Sequence, residues 1–173
     1  MDLEHMQKTN IWKEECRKKI IEPFDLQNKI EELRKQGKSI VTLNGSFDLL
    51  HAGHLHIIFE ASKQADCLIL ALNSDESIQK YKSPSRPIVP LKYRLELMAS
   101  ISFIDYVTWF SEVDPRKLLE IIRPDVHVNG SEYGPNCIEA DVVKQHGGKI
   151  YIVEKIPGLS TSEIITKVRQ LCD

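Results

Sequence analysis

This 173-residue sequence has no closely paired cysteines. Its four cysteines are not arranged as C-x-x-C, and their spacing fits neither a zinc site nor a disulfide framework. Unpaired cysteines in a domain of this size are typical of a reducing compartment. We therefore expect a cytoplasmic protein.

Long apolar runs and an excess of one charge are also missing. The longest fully apolar run, CLILAL, is far shorter than the roughly 20 residues that span a bilayer. The polar start, MDLEHMQKTN, lacks the apolar core of a secretory signal. A net charge of −2 argues against a basic field that would attract nucleic acid or an anionic membrane. We expect neither as a partner.

A strand–helix alternation from residue 39 onward predicts the fold. Strands are predicted from β-branched or apolar composition at 39–44, 67–73, 105–110, 125–129 and 149–153. Helices are predicted from apolar periodicity at 53–64, 91–101, 115–122, 136–146 and 160–170. The polar, proline-containing segment 74–90 predicts a long loop. This order predicts an α/β protein, a doubly wound five-stranded parallel sheet with helices on both faces.

The first 38 residues differ from the rest. Segments 11–21 and 26–36 predict two amphipathic helices, which Pro23 separates and Gly37 ends. We therefore predict an N-terminal helical extension over 1–38 and one domain over 39–173.

The segment LNGSFDLLHAGH, residues 43–54, ends the first predicted strand and opens the helix that follows it. His51 and His54 are three residues apart, so both can face one side of that helix. Gly53 leaves room for a ligand near the backbone. Ligands of parallel sheets bind beyond the carboxyl ends of the strands, and a helix N-terminus favours phosphate. The pattern predicts a phosphate site in which two imidazoles stabilise negative charge.

Two other interpretations of these histidines stay open. Both residues could cap the helix or fill the core. They could also bind zinc together with His56, but His56 would point elsewhere on a helix. No acidic residue or cysteine lies close by in the sequence, which disfavours zinc.

Four segments, in order along residues 39–170, resemble the nucleotidyltransferases with an HxGH motif. NGSFDLLHAGH is similar to their GxFDxxHxGH signature. The other three resemble members that act on sugar phosphates and glycerol phosphate, and they read NSDESIQKYKSPSRPIVPLKYRLELMAS, RPDVHVNGSEY and PGLSTSEIITKV. The resemblance is strongest to the D-glycero-β-D-manno-heptose 1-phosphate adenylyltransferases, and it implies a Rossmann-like fold.

The resemblance implies roles for individual residues. The catalytic set, which contacts phosphates and stabilises the pentacovalent transition state, would be His51, His54, Lys82 and Arg94. The nucleotide- and phosphate-binding set would be Asn44, Gly45, Ser46, Phe47, Gly53, Lys80, Asn129, Gly130, Glu132, Ser160, Thr161 and Ser162. No side chain is expected to bind a metal, because Mg²⁺ would be held by the nucleotide phosphates.

The sequence departs from the heptose enzymes at three of these positions. Ser46 stands where they usually have cysteine, and Asn129 and Glu132 stand where they have lysine and aspartate. These changes bear on substrate contacts more than on the type of reaction.

Simpler structural roles remain open for several residues. Lys80 and Lys82 could be solvated loop charges. Asp48 could brace the turn or act as an Asx cap. Ser160 has capping-box spacing to Glu163 and could be a plain N-cap.

The resemblance implies transfer of AMP from ATP to heptose 1-phosphate, which forms ADP-heptose and pyrophosphate for a bacterial surface glycan such as lipopolysaccharide core. We expect a nucleoside triphosphate and a sugar phosphate as ligands, a homodimer, a pathway kinase as a separate protein, and segment 74–87 as a mobile lid. One alternative is a cytidylyltransferase that uses CTP and glycerol 3-phosphate or a similar alcohol phosphate. Another is a nucleotide-binding protein without turnover.

Overall fold

A five-stranded parallel sheet organises the protein, for which a computed structural model describes residues 3–172, with side chains over 11–171. The strands are β1 Ile40–Gly45, β2 Cys67–Asn73, β3 Tyr106–Phe110, β4 Val126–Gly130 and β5 Lys149–Val153. The helices are α1 Leu3–Lys19, α2 Leu26–Lys35, α3 Ala52–Ser62, α4 Asp75–Tyr81, α5 Leu91–Ala99, α6 Arg116–Ile122, α7 Ala140–Gln145 and α8 Thr161–Cys172. A 3₁₀ turn, Pro23–Asp25, precedes α2. The predicted doubly wound α/β class is confirmed.

Both faces of the sheet are buried, which explains why its central strands are apolar without alternation. All seven residues of β2 are buried. One face packs against α1, α3 and α5, through Cys16, Ile58 and Met98 among others. The other face packs against α2 and α6, through residues that include Ile30, Leu33, Leu118 and Ile122.

The strand order is β3-β2-β1-β4-β5, so the chain reverses its direction across the sheet at β1 and β4. These two neighbouring strands lead into connections that leave towards opposite sides. A crevice therefore opens at their carboxyl ends, where the HxGH segment begins.

The N-terminal helices are packed on the same sheet. Ile20 forms a parallel bridge to Val107, and the N–H of Ile21 donates to the carbonyl of Val107 at 2.8 Å. Leu26, Ile30 and other apolar residues of α2 are buried against the sheet. In α2 the amphipathic pattern thus reports a face that is covered. In α1, by contrast, Cys16 is the only buried side chain among residues 11–19. The division of the chain at residue 38 stays a prediction.

The prediction of a loop throughout 74–90 is wrong for its first half, which forms α4. Ser74 caps this helix by accepting a hydrogen bond from the N–H of Ser77 at 3.1 Å. Asp75 and Glu76 lie in the first turn, where negative charge suits the helix dipole. Ile78 is fully buried and anchors the helix to the sheet. The many polar residues of this segment are therefore the solvent face and the cap of a short helix.

The helix predicted at 136–146 begins later, at Ala140. The preceding residues form turns, and Gly134 has a left-handed φ of 67°. The chain needs these turns because it must leave the end of β4 before it can return along α7.

Within residues 3–172, no helix is both long and apolar enough to cross a membrane.

Candidate active site

The turn that follows β1 has an unusual backbone. Phe47 and Leu49 both have positive φ values, 46° and 50°. Residues with a Cβ rarely adopt this left-handed region, and each instance costs on the order of 1–3 kcal/mol. Contacts with the rest of the protein must therefore hold the turn in place. Asp48 lies between the two strained residues and makes several of these contacts.

Asp48 braces this turn against the segment that follows α4. Its side chain is almost fully buried and accepts hydrogen bonds from the N–H groups of Ile88 and Val89, both at 2.9 Å, and from Nε of Arg86 at 2.8 Å. Burial alone would raise the pKa of Asp48, but these donors together lower it. Asp48 is therefore a long-range brace rather than a local Asx cap.

The two histidines of the motif are stacked at the start of α3. Their ring centroids lie 3.8 Å apart with an interplanar angle of 22°. A Cβ at Gly53 would lie 3.0 Å from Nδ1 of His51 and 3.4 Å from the carbonyl oxygen of Leu159. Glycine at this position therefore lets the ring of His51 lie close to the backbone. The expectation that both histidines face one side of the helix agrees with this arrangement.

Burial lowers the pKa of both histidines, which favours their neutral form. Burial lowers the pKa of His54 to about 4, helped by the neighbouring charges of His51 and Lys82, while Asp48 acts in the opposite direction. Burial also lowers the pKa of His51, with Glu163 opposing the change. Among the described residues, neither Nδ1 atom has a hydrogen-bond partner although both are buried. Each ring thus keeps unused hydrogen-bonding capacity inside the protein.

The shifted pKa of His54 predicts a loss of stability in mild acid. The unfolded chain would bind a proton at His54 below its ordinary pKa of 6.5, whereas the folded chain resists protonation until about pH 4. Stability should therefore fall as the pH drops through this window. His54→Asn should reduce that dependence, measured as the difference in Tm between pH 7.5 and pH 4.5.

His146, which is exposed, supplies the matched control for this comparison. His146→Asn should keep the wild-type pH dependence. His127, buried in the sheet with a pKa lowered to about 3, should add an acid-sensitive contribution in every variant. Equal pH dependence of Tm in His54→Asn and the wild type would contradict a buried neutral His54.

Lys82 extends its ammonium towards the strained turn. Lys82 is the C-cap residue of α4, and its Nζ donates to Oγ of Ser46 at 2.8 Å. Partial loss of water around the ammonium, together with the cations Arg86 and Arg94, lowers the pKa of Lys82, although Asp48 opposes this. The fold thus brings a cation from a segment more than thirty residues away to the same turn as the histidines.

Arg94 is fully buried and bonded within the protein. Its guanidinium donates to the carbonyl oxygens of Ser46 at 2.7 Å, Val89 at 2.9 Å and Asn73 at 3.0 Å, and to the Asp75 carboxylate at 2.7 Å. These bonds join the ends of β1 and β2 to the segment between α4 and α5. The predicted contact of Arg94 with phosphate finds no support in this geometry, which fits a bracing role.

The start of α8 closes the site from a third side. Ser160 accepts a hydrogen bond from the N–H of Glu163 at 3.2 Å, which agrees with the capping interpretation. Thr161 donates its hydroxyl proton to the carbonyl of Asp48 at 2.8 Å, so this helix is tied to the strained turn. The N-termini of α3 and α8 both face the same space, where their partial positive charges favour an anion.

The opposite side of the site is built by β4 and β5. Asn129 is buried and donates to the carboxylate of Glu139 at 3.3 Å. Glu132 forms an ion pair with Lys155 at 2.5 Å. A Cβ at Gly130 would overlap the Glu132 carboxylate, so the glutamate folds back over this glycine. A carboxylate therefore lies in the wall of the site that follows β4.

These elements enclose a cavity of about 290 Å³ at the reversal point of the sheet. The predicted site residues that line it are Asn44, Gly45, Ser46, Phe47, His51, Gly53, His54, Lys82, Asn129, Gly130, Glu132, Ser160, Thr161 and Ser162. The structure does not bring Lys80 and Arg94 to its wall, since Lys80 is exposed and Arg94 is buried elsewhere.

Several lining residues escaped the sequence analysis. His56 lines the same cavity, although it joins no metal-binding group with His51 and His54 among the described residues. Tyr133, in the turn after β4, and Lys155, in the irregular segment after β5, also line it. A residue in a turn carries no periodicity, so only the folded chain reveals its position. Among the described residues, no group of three or more histidine, cysteine or acidic side chains is placed to hold a metal ion.

Comparison with known proteins decides the family. Residues 42–167 match the family model described as cytidylyltransferase-like. The chain belongs to this family. The stacked histidines line the cleft at the end of β1.

Curated relatives extend this result. The chain is 40% identical to the bifunctional protein HldE of Syntrophotalea carbinolica over 144 aligned residues. This alignment covers 83% of the chain and 29% of the relative. It is 42% identical over 142 residues to HldE of Azotobacter vinelandii, covering 82% of the chain and 30% of the relative. The chain thus spans less than a third of the length of these relatives.

Two solved structures have a similar fold. A lipopolysaccharide core biosynthesis protein from Thermoplasma volcanium superposes with a TM-score of 0.55 at 27% identity, over 69% of this chain and 98% of the other. Pantoate-β-alanine ligase from Francisella tularensis, in complex with β,γ-ATP and β-alanine, gives a TM-score of 0.58 over 89% of this chain and 79% of the other. At 18% identity, the latter match supports the fold alone.

Proposed function

We propose that this chain transfers AMP from ATP to a sugar 1-phosphate, heptose 1-phosphate, and so forms ADP-heptose and releases pyrophosphate. The observation that carries the proposal is the stacked pair His51 and His54 at the mouth of the β1–α3 connection. Their two buried Nδ1 atoms have no hydrogen-bond partner in the described part of the chain. A buried polar atom without a partner is costly. A phosphate oxygen bound in the cavity beside the stacked rings would lie within reach of the imidazole pair.

The reaction needs no nucleophile from the protein. An oxygen of the acceptor phosphate attacks the α-phosphorus in line, the new P–O bond forms, and pyrophosphate leaves on the opposite side. The task of the chain is to orient the phosphates and to balance their charge. The imidazole N–H groups of His51 and His54 and the ammonium of Lys82 would do this.

The triphosphate itself would change the protonation of the site. In the free protein, burial lowers the pKa of both histidines and so disfavours their charged form. The negative charge of a bound triphosphate raises the pKa of a nearby imidazole. The histidines would therefore gain positive charge when the substrate is present, which strengthens their bonds to the phosphoryl oxygens as the transition state develops.

In this scheme, Mg²⁺ would enter the site bound to the phosphates of the nucleotide. The phosphate end of the cavity is lined by His51, His54 and Lys82 rather than by a cluster of carboxylates. Mg²⁺ prefers oxygen ligands and is often bound by substrate phosphates. When bound, it would neutralise part of the phosphate charge, and the residues named above would contact the remaining oxygens.

The choice of heptose 1-phosphate and ATP draws support from the relatives. Those relatives include proteins named bifunctional protein HldE and a structure named lipopolysaccharide core biosynthesis protein. A homodimer and a kinase supplied by a separate protein remain predictions that follow from the resemblance.

Pyrophosphate release tests the proposal directly. The purified chain should be incubated with Mg²⁺, with ATP or CTP, and with heptose 1-phosphate of either anomeric configuration or glycerol 3-phosphate. We expect pyrophosphate with ATP and one heptose 1-phosphate anomer, and a ³¹P spectrum that shows a diphosphate-linked product. Release only with CTP and glycerol 3-phosphate would instead identify a cytidylyltransferase, and no release with any pair would overturn the proposal.

A further inference from the structure

We propose that Tyr81 is a positioning residue for nucleotidyl transfer, holding Ser46 and Lys82 in the orientation that meets the phosphoryl group. This inference rests on the proposed function for the identity of the reaction. Tyr81 is the last residue of α4, and 42% of its surface remains exposed. A side chain this exposed contributes little to the core, so its polar contacts point to another role.

Three groups from two segments form a closed set of contacts. The Tyr81 hydroxyl lies 3.2 Å from Oγ of Ser46, and Nζ of Lys82 lies 2.8 Å from the same Oγ. The Lys82 ammonium is also 5.6 Å from the centroid of the Tyr81 ring, within the range of a cation–π contact. Tyr81 therefore contacts Ser46 through its hydroxyl and Lys82 through its ring, and both of these residues line the cavity.

The chemistry of the three groups assigns the direction of one bond. An ammonium can only donate, so Ser46 accepts from Lys82. A serine oxygen has a second lone pair, and Tyr81 can donate its hydroxyl proton to it. The proton of Ser46 is then free to point into the cavity that Ser46 lines. A hydroxyl that accepts a charge-assisted bond is polarised and becomes a better donor to a phosphoryl oxygen.

Without Tyr81, both partners would lose a restraint. Lysine carries a large rotamer entropy, and an unrestrained ammonium adopts many positions. The hydroxyl of Ser46 would also be free to turn away from the cavity. We therefore expect the loss of Tyr81 to act through Ser46 and Lys82 rather than through the stability of the fold.

A double-mutant cycle with Tyr81→Phe and Ser46→Ala tests this coupling. Tyr81→Phe keeps the ring and removes the hydroxyl, and it should lower kcat/KM for ATP about five-fold, as expected for one neutral hydrogen bond. In the Ser46→Ala background the same change should cost less than about two-fold, because the bond it removes is already missing. Tyr81→Leu, which also removes the ring, should cost more than Tyr81→Phe in the wild-type background.

Tyr93→Phe is the matched control. Tyr93 is another exposed tyrosine with a lysine over its ring, Lys92 at 5.7 Å, but it lies on α5 and does not line the cavity. Its substitution should leave kcat/KM unchanged. All variants should keep the Tm of the wild type to within a few degrees.

The outcomes separate this inference from the proposed function. The inference is overturned if Tyr81→Phe has no effect, if it costs the same factor with and without Ser46, or if Tyr93→Phe costs as much. If no acceptor supports pyrophosphate release, the proposed function fails, and the same cycle is then measured as the Kd of ATP or CTP by calorimetry. A five-fold coupled weakening of that Kd would still support the role of Tyr81, and additive effects or absence of nucleotide binding would overturn it.

Discussion

Replacing His54 with alanine is expected to lower kcat by about 10²–10³, the usual loss for one donor that stabilises developing charge. His54 stacks on His51 and faces the cavity, and its removal leaves one imidazole to meet the phosphoryl oxygens. The Tm at pH 7.5 should change little because the ring lies at a cavity wall. Steady-state kinetics of pyrophosphate release with the productive nucleotide and acceptor would measure the loss.

A variant of His146 controls for the removal of a histidine as such. His146 is exposed and does not line the cavity, so His146→Ala should retain the wild-type kcat. Wild-type turnover in a folded His54→Ala sample would remove His54 from the catalytic machinery.

The second large effect is expected on stability, at Arg94. Arg94→Leu would leave three backbone carbonyls and the Asp75 carboxylate without their shared donor. The Asp75 side chain is 37% exposed, so water screens the charge that remains, and most of the loss comes from the three carbonyl hydrogen bonds. At about 1 kcal/mol for each lost bond, the unfolding free energy should fall by about 3 kcal/mol. Activity should fall as well, since the carbonyl of Ser46 and the segment at Val89 lose their anchor. Urea unfolding followed by circular dichroism would give the change in free energy.

Arg116→Ala provides the comparison, because Arg116 forms an exposed ion pair with Asp114 at 2.9 Å. Its loss should change the unfolding free energy by no more than about 1 kcal/mol. The two interpretations of Arg94 are then distinguishable. If Arg94→Leu keeps wild-type stability but loses turnover, Arg94 contacts the substrate as the resemblance implied, and the bracing role is wrong.

Bracing explains how one cavity is assembled from distant parts of the chain. Asp48 joins the strained turn to residues 86–89 and, through its carbonyl, to Thr161 at the start of α8. Arg94 holds the same turn through its hydrogen bond to the carbonyl oxygen of Ser46. The strain at Phe47 and Leu49 is held in place by these contacts, and the histidines are aimed as a result.

The strands were the most predictable part of the fold. Those predicted at 67–73 and 149–153 match β2 and β5 residue for residue. Buried parallel strands are continuous apolar runs bounded by polar turns, so their ends are clear in the sequence. By contrast, α4 was missed because most of its residues face solvent and its cap resembles a turn.

The site was predictable to a similar, partial extent. His51 and His54 stood out because two like residues at helical spacing beside a glycine are unusual, and the resemblance led to Lys82 and to Ser160. The same resemblance placed Arg94 and Lys80 at the phosphates, where the cavity does not include them. A motif specifies residue types, but it does not say whether a cation points into a cavity or into the protein interior.

By itself, the amino-acid sequence determined the order of the strands and of most helices, and it marked the turn before His51 and His54 as the candidate site, since these depend on periodicity and local residue chemistry. Only the tertiary structure decided which charges serve the cavity and which serve the scaffold. Lys82 and Arg94 are both cations in one segment, but Arg94 is surrounded by carbonyls and Asp75 whereas Lys82 ends beside Ser46. That difference arises from where the chain crosses the sheet, which no local pattern records.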